Sequence, residues 1–228
     1  MKKLLEVFFI VFAFMVANAI IYVLWWALTD SSNYIWEPIS TDRLQIIENA
    51  CNTIFWINYT TWAVLVNLFL ISFLSFHYYT RFSIAVAVLM CAVYISSWYT
   101  YGPYIAQSYV SIFENQAVSK IFLTEPIKRG GNGAGELVLK KINNPTYERR
   151  EAAIKALGEI QYEPAAEHLG RILLNGKESE KIRGAAYLSL KAIGSLMSKK
   201  YLLLFSQLVL QNDRDRDVIR RLEKNNEY

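Results

Sequence analysis

Three stretches of this chain are apolar on every side, and its last third is apolar on one side only. Residues 4–28 form a nearly unbroken hydrophobic run, longer than the ~20 residues that cross a bilayer core. Similar runs cover residues 54–76 and 82–99. Only residues 77–81 separate the second run from the third, so these two are expected to form an antiparallel hairpin. Residues 29–49 are polar and acidic. Within them Glu37-Pro38 predicts a turn, and Ser40, Thr41 or Asp42 a helix cap, after which Leu44, Ile46 and Ile47 lead into the second span.

The last third carries a different period. Ala153, Ala156, Leu157 and Ile160 fall at helical i, i+3, i+4, i+7 spacing, which places one apolar stripe on a helix. The same stripe returns as Ala186, Ser189, Leu190 and Ile193. The register offset is about 33 residues, within the ~20 to 50 typical of stacked repeats. Arg150 aligns with Arg183, Ala152-Ala153 with Ala185-Ala186, and Leu157 with Leu190. A third register opens at Arg216 with Val218 and Ile219 and then degrades, as a terminal cap does. A second helix is predicted in each copy, over residues 164–174 and about 199–210, the latter with Tyr201, Leu204, Phe205 and Leu208 as its apolar face. Asn143-Asn144-Pro145-Thr146 breaks the pattern before the first copy.

Between the two regions, residues 104–122 repeat apolar positions at helical spacing but are too polar to span. They are expected to form an amphipathic helix on the membrane surface or beneath the repeats. Arg129-Gly130-Gly131-Asn132-Gly133-Ala134-Gly135 reads as a flexible linker, since the lysine and hydroxyl of a phosphate-binding loop are missing. The predicted organisation is therefore all-α: a three-span transmembrane domain at residues 1–103, a surface helix and glycine-rich linker at 104–136, and a small α-solenoid at 137–228.

Tryptophan and charge orient the spans. Trp25, Trp26, Trp36, Trp56, Trp62 and Trp98 gather at one membrane face if the spans alternate in direction, and tryptophan favours that interface. Lys2, Lys3 and Arg81 lie at the other face, which the positive-inside bias assigns to the cytoplasm. The N-terminus is then cytoplasmic and the C-terminal domain periplasmic. Ala17-Asn18-Ala19 resembles a signal-peptidase site, but the apolar run continues through Trp26, too long for a signal core. An uncleaved anchor is expected.

The chemistry is sparse. The chain is 54% hydrophobic and holds two histidines and two cysteines, and Cys51 and Cys91 have no metal or redox spacing. No catalytic residue, metal or cofactor is expected. Glu163, Glu167 and His168 read as solvated surface. Asp213-Arg214-Asp215-Arg216-Asp217 alternates in sign, as a salt-bridged cap does and a nucleic-acid patch does not. Asn18 and Asn67 lie at similar depth in the first two spans, where an amide needs a hydrogen-bond partner, so they are candidate helix–helix contacts.

The arginine, paired alanines, leucine and terminal isoleucine of the repeated segment resemble bacterial HEAT-like repeats of the short kind found in bilin lyases and scaffold proteins. That resemblance covers roughly the last 90 residues and implies a helical solenoid with a protein-binding surface. Arg149, Glu163, Tyr187 and Lys191 are the candidate exposed positions on it. The expectation is a non-enzymatic, membrane-anchored adaptor in a bacterial inner membrane, with the bilayer and other membrane or periplasmic proteins as partners and no nucleic acid. The alternative is an accessory subunit of a membrane transport, secretion or polysaccharide-export machine.

Overall fold

A computed structural model describes residues 2–76, 80–119 and 123–210, with side chains placed for 8–73, 84–119 and 123–208. Residues 77–79 of the expected connection at 77–81, the third repeat register and the charged cluster from Asp213 lie outside the described residues. Among the described residues every regular element is helical, apart from one isolated bridge between Ile35 and Ala117. The chain divides into two compact units, Met1–Ala117 and Val118–Tyr228. The segment 104–136, expected as one connecting region, is shared between them.

The first unit contains α1 (Lys2–Thr29), α2 (Thr41–Phe76) and α3 (Thr80–Asn115). All three are long and apolar enough to cross a membrane. Helix α2 packs against both α1 and α3. It begins where the sequence places a cap, with the Ser40 carbonyl accepting the Leu44 N–H at 3.0 Å and Asp42 in the first turn, where a carboxylate complements the helix dipole.

Helices α2 and α3 are each 36 residues long, about 54 Å at ~1.5 Å per residue, against an apolar core of ~30 Å. The excess lies at the start of α2 and the end of α3, which are neighbours in an antiparallel pair. There Ile47, Ala50, Cys51 and Ile54 of α2 and Tyr109 and Ile112 of α3 bury one another around Tyr34. Tyr34 closes a 3-10 turn, Ser31–Tyr34, capped by Asp30. The Ala117 N–H donates to the Tyr34 carbonyl at 3.0 Å, and the Trp36 N–H to the Ala117 carbonyl at 2.7 Å.

This extension corrects the reading of residues 104–115. They are the continuation of α3, not a separate surface helix, because the face carrying Ile105, Tyr109 and Ile112 packs on α2. Gly102-Pro103 looks like a stop, since proline removes a helical hydrogen bond. The helix runs through Pro103 all the same, and Ile105, two residues on, packs against the core that α2 shares.

The second unit contains α4 (Glu125–Ile142), α5 (Arg150–Glu159), α6 (Ala166–Leu174), α7 (Glu180–Ile193) and α8 (Leu196–Leu210), with a 3-10 turn Glu163–Ala165 before α6. The glycine-rich stretch, expected as a flexible linker, lies within the span of α4, which it divides into two helical segments. Gly131, at φ 55° and ψ −145°, kinks the helix, a conformation open to glycine. Four residues on, a side chain at Gly135 would come 2.8 Å from Ile160 Cδ1 and 3.2 Å from the Tyr162 ring. This glycine is used for close packing. Asn144 opens the following break, its Oδ1 accepting from Thr146 N and Oγ1 at 3.0 and 2.8 Å.

Helix α4 packs on α5, α5 on α7, α6 on α7 and α8, and α7 on α8. The α5–α7 approach is close because small residues face each other: Ala153, Ala156, Gly158, Ala186 and Ser189 are all buried. Ser179 caps α7 by accepting the Ile182 N–H at 3.3 Å, and Gly194 ends it in the left-handed region at φ 64°. Helix α8 is rotated from its expected setting. Phe205 is buried, but Leu204 and Leu208 are exposed, and Tyr201 faces Gly170 of α6.

Candidate functional site

At the wet end of the spans, α1 and α2 bound an open cleft of about 410 Å³. Its aromatic wall is Tyr22 and Trp26 from the last turns of α1 and Phe55 and Trp56 from α2. The rings hold one another in place: Tyr22 meets Phe55 edge-on at 5.2 Å, and Phe55 stacks on Tyr59 at 5.7 Å. The polar side is Thr29, Asp30, Ser31, Glu48 and Asn52, with the buried Cys51 beneath. Thr29 Oγ1 donates to the Trp25 carbonyl at 2.6 Å, so its hydroxyl proton is committed inward and its lone pairs remain as acceptors. Asp30 Oδ1 accepts the Ser32 N–H at 2.8 Å.

None of the lining residues is cationic. Two carboxylates and several π faces with no positive charge among them make a setting for a cation, because ring faces and carboxylates both attract positive charge. The cleft lies level with Trp25, Trp26 and Trp56, about 20 residues along each helix from its far end, the length that spans an apolar core. Sequence reading singled out the tryptophans but missed the cleft. The available signal was Asp30 immediately after α1 and Glu48 two turns before Phe55, both next to aromatic clusters.

Deeper in the same helix pair, Asn18 and Asn67 bond reciprocally. Asn18 Nδ2 donates to Asn67 Oδ1 at 3.0 Å and Asn67 Nδ2 to Asn18 Oδ1 at 3.2 Å. Asn18 Nδ2 also reaches the Phe14 carbonyl at 2.8 Å.

In the second unit the four surface candidates fare differently. Glu163 and Lys191 are exposed, and Arg149 is half-buried just before α5. Tyr187 is only 9% exposed, which corrects its reading as a surface position. It lies on the face of α7 that meets α8, with its ring 6.1 Å from that of Phe205. Lys191, one turn on, places its ammonium 5.6 Å from the Tyr187 ring. The structure brings these two together.

The charged residues that organise this unit are the aligned arginines. Arg150 Nε donates to the Ile142 carbonyl, the last of α4, at 2.6 Å. Arg183 Nε donates to the Leu173 carbonyl near the end of α6 at 3.0 Å. Each closes the helix before its own, satisfying a carbonyl that has no intrahelical partner. Beyond those carbonyls, Arg150 pairs with Glu178, and the Arg183 guanidinium lies 5.3 Å from the Phe205 ring centre. His168 Nδ1 lies 3.3 Å from Asn143 Oδ1, and Glu167 pairs with Arg171. Among the described residues no cluster of histidine, cysteine and carboxylates could hold a metal.

The chain matches no protein-family model, no curated protein and no solved structure.

Proposed function

We propose that this chain is a non-enzymatic, membrane-anchored adaptor whose C-terminal unit is a short HEAT-like solenoid that binds another protein. The observation that carries the reading is the shared role of Arg150 and Arg183. In α5 and α7, the two helices that the sequence register aligns, an arginine is supplied to the carbonyl end of the helix before. Repeated closure of that kind supports a stack in which each unit docks on its neighbour. In this reading the spans sit in a bacterial inner membrane with the N-terminus cytoplasmic and the repeats periplasmic, by the bias of Lys2, Lys3 and Arg81. The binding surface includes the exposed Glu163 and Lys191.

The test is co-purification of the full chain from its native membranes. Glu163→Lys with Lys191→Glu should remove a periplasmic partner, while Asn18→Leu with Asn67→Leu should leave it attached. The reverse result would overturn the adaptor reading and favour an accessory subunit held in a larger membrane machine through its spans.

A further inference from the structure

We propose that the cleft between α1 and α2 binds the primary ammonium headgroup of a zwitterionic phospholipid. The chemistry of the lining selects the charge. Asp30 and Glu48 supply anionic oxygens, Thr29 supplies an oxygen whose own proton is already used, and Trp26 and Trp56 supply exposed ring faces. A primary ammonium has three N–H donors to place on such oxygens, and the rings attract its charge. The same carboxylates repel a headgroup that carries only negative charge.

Depth selects the source. The cleft opens at the turn where α1 passes from an apolar run to Thr29-Asp30-Ser31, and where α2 passes from Glu48 and Asn52 to Phe55. That is the headgroup level, at which tryptophan and tyrosine settle. Below it Met15 and Phe8, on the stripe of α1 that carries Tyr22 and Thr29, are exposed, a track for an acyl chain. The space, about 410 Å³, is in the range of small-ligand sites. The wall is also set before anything binds, because Phe55 is fixed between Tyr22 and Tyr59.

The experiment uses the full chain, delipidated in detergent and titrated with phosphatidylethanolamine, phosphatidylcholine or phosphatidylglycerol of identical acyl chains, with bound lipid counted by native mass spectrometry. One phosphatidylethanolamine should be retained about fivefold more strongly than either alternative. Asp30→Asn with Glu48→Gln should equalise the three; asparagine at 30 still offers Oδ1 to the Ser32 N–H, so the turn is kept. Glu48→Gln alone, at an exposed position, should at least halve the preference. Equal retention of the three lipids by the parent chain, phosphatidylcholine held as strongly as phosphatidylethanolamine, or a preference that survives both variants would overturn the proposal.

Discussion

Arg150 and Glu178 form a two-pronged ion pair, with Nη1 to Oε2 and Nη2 to Oε1 both at 2.7 Å. Their side chains are only 7% and 16% exposed. Since Nε of the same guanidinium holds the Ile142 carbonyl, one side chain fastens the end of α4, the start of α5 and the loop before α7. Arg150→Ala strands a largely buried carboxylate, and breaking such a pair costs about 3 kcal/mol or more. Arg150→Lys keeps the charge but cannot reproduce the fork, so it should recover less than half of the loss. Urea-dependent proteolysis of the full chain in detergent, followed at sites in α5 to α7, ranks the two. Full recovery by Arg150→Lys would contradict a role for the two-pronged pairing.

Gly158 tests how closely α5 and α7 approach. A methyl group there would sit 2.6 Å from Ser189 Cα and 2.7 Å from its Cβ. Because the first of these is backbone, no rotamer change relieves it, and Gly158→Ala should destabilise the unit by about 1 to 3 kcal/mol despite its gain in helix propensity. Ser189→Gly should fail to rescue it. Ser189→Ala alone removes only the hydrogen bond from Oγ to the Ile154 carbonyl at 2.8 Å and should cost about 1 kcal/mol. A neutral Gly158→Ala in the same proteolysis measurement would mean that the helices stand further apart.

Glu151 gives the α5–α7 contact an acid limit. Burial on its own pushes its carboxyl up, but hydrogen bonds from Lys155 and from Lys181 across the helix pair outweigh that and hold it below the ordinary glutamate value. A carboxyl lowered in the folded state contributes stability above its unfolded value and loses it as pH falls through the folded one. Both lysines are well exposed, so the contribution is about 0.5 kcal/mol after solvent screening. The stability gap between the parent and Glu151→Gln should therefore be present at neutral pH and close on the acid side of the ordinary glutamate range. Lys128, raised by its hydrogen bond to Glu159, works in the opposite sense: its contribution fades only as pH rises above the ordinary lysine value. A Glu151→Gln gap that stayed constant from neutral pH into strong acid would exclude the carboxylate as its source.

The readable parts of this chain were those where one period dominates. Uniform apolarity marked the three long helices, and the alanine and leucine register marked α5 and α7, because in both cases burial itself writes the pattern. The failures share a cause: residues whose local preference was overridden by a neighbour. Gly102-Pro103 signals a break in isolation, yet α2 supports the helix through Ile105 and Tyr109; in the run from Gly130 to Gly135 the break is confined to Gly131, and Ile160 and Tyr162 cover Gly135. Tyr187 looked like surface because it falls beside the alanine stripe, but α8 packs on that adjoining face. The cleft was invisible for a different reason. It joins Asp30 and Glu48 across a connection whose path, through the Tyr34 and Ala117 hydrogen bonds, no periodicity encodes.

Asn18 and Asn67 offer a last test, one that separates pairing from polarity. Each amide satisfies the other, so losing one leaves its partner facing hydrocarbon with an unmet donor and acceptor. Asn18→Leu, or Asn67→Leu, should weaken the α1–α2 contact by about 0.6 to 1.7 kcal/mol, the range measured for hydrogen bonds between spans. The double variant removes both amides and should be less destabilised than either single one. Asn67 has more to lose from a missing partner, because Asn18 keeps a second bond to the Phe14 carbonyl. Asn18→Leu should therefore be the worse of the two. Unfolding of the full chain in mixed micelles, titrated with a denaturing detergent, gives the order: parent, double variant, Asn67→Leu, Asn18→Leu. Additive losses in the double variant would show that the two amides act independently of each other.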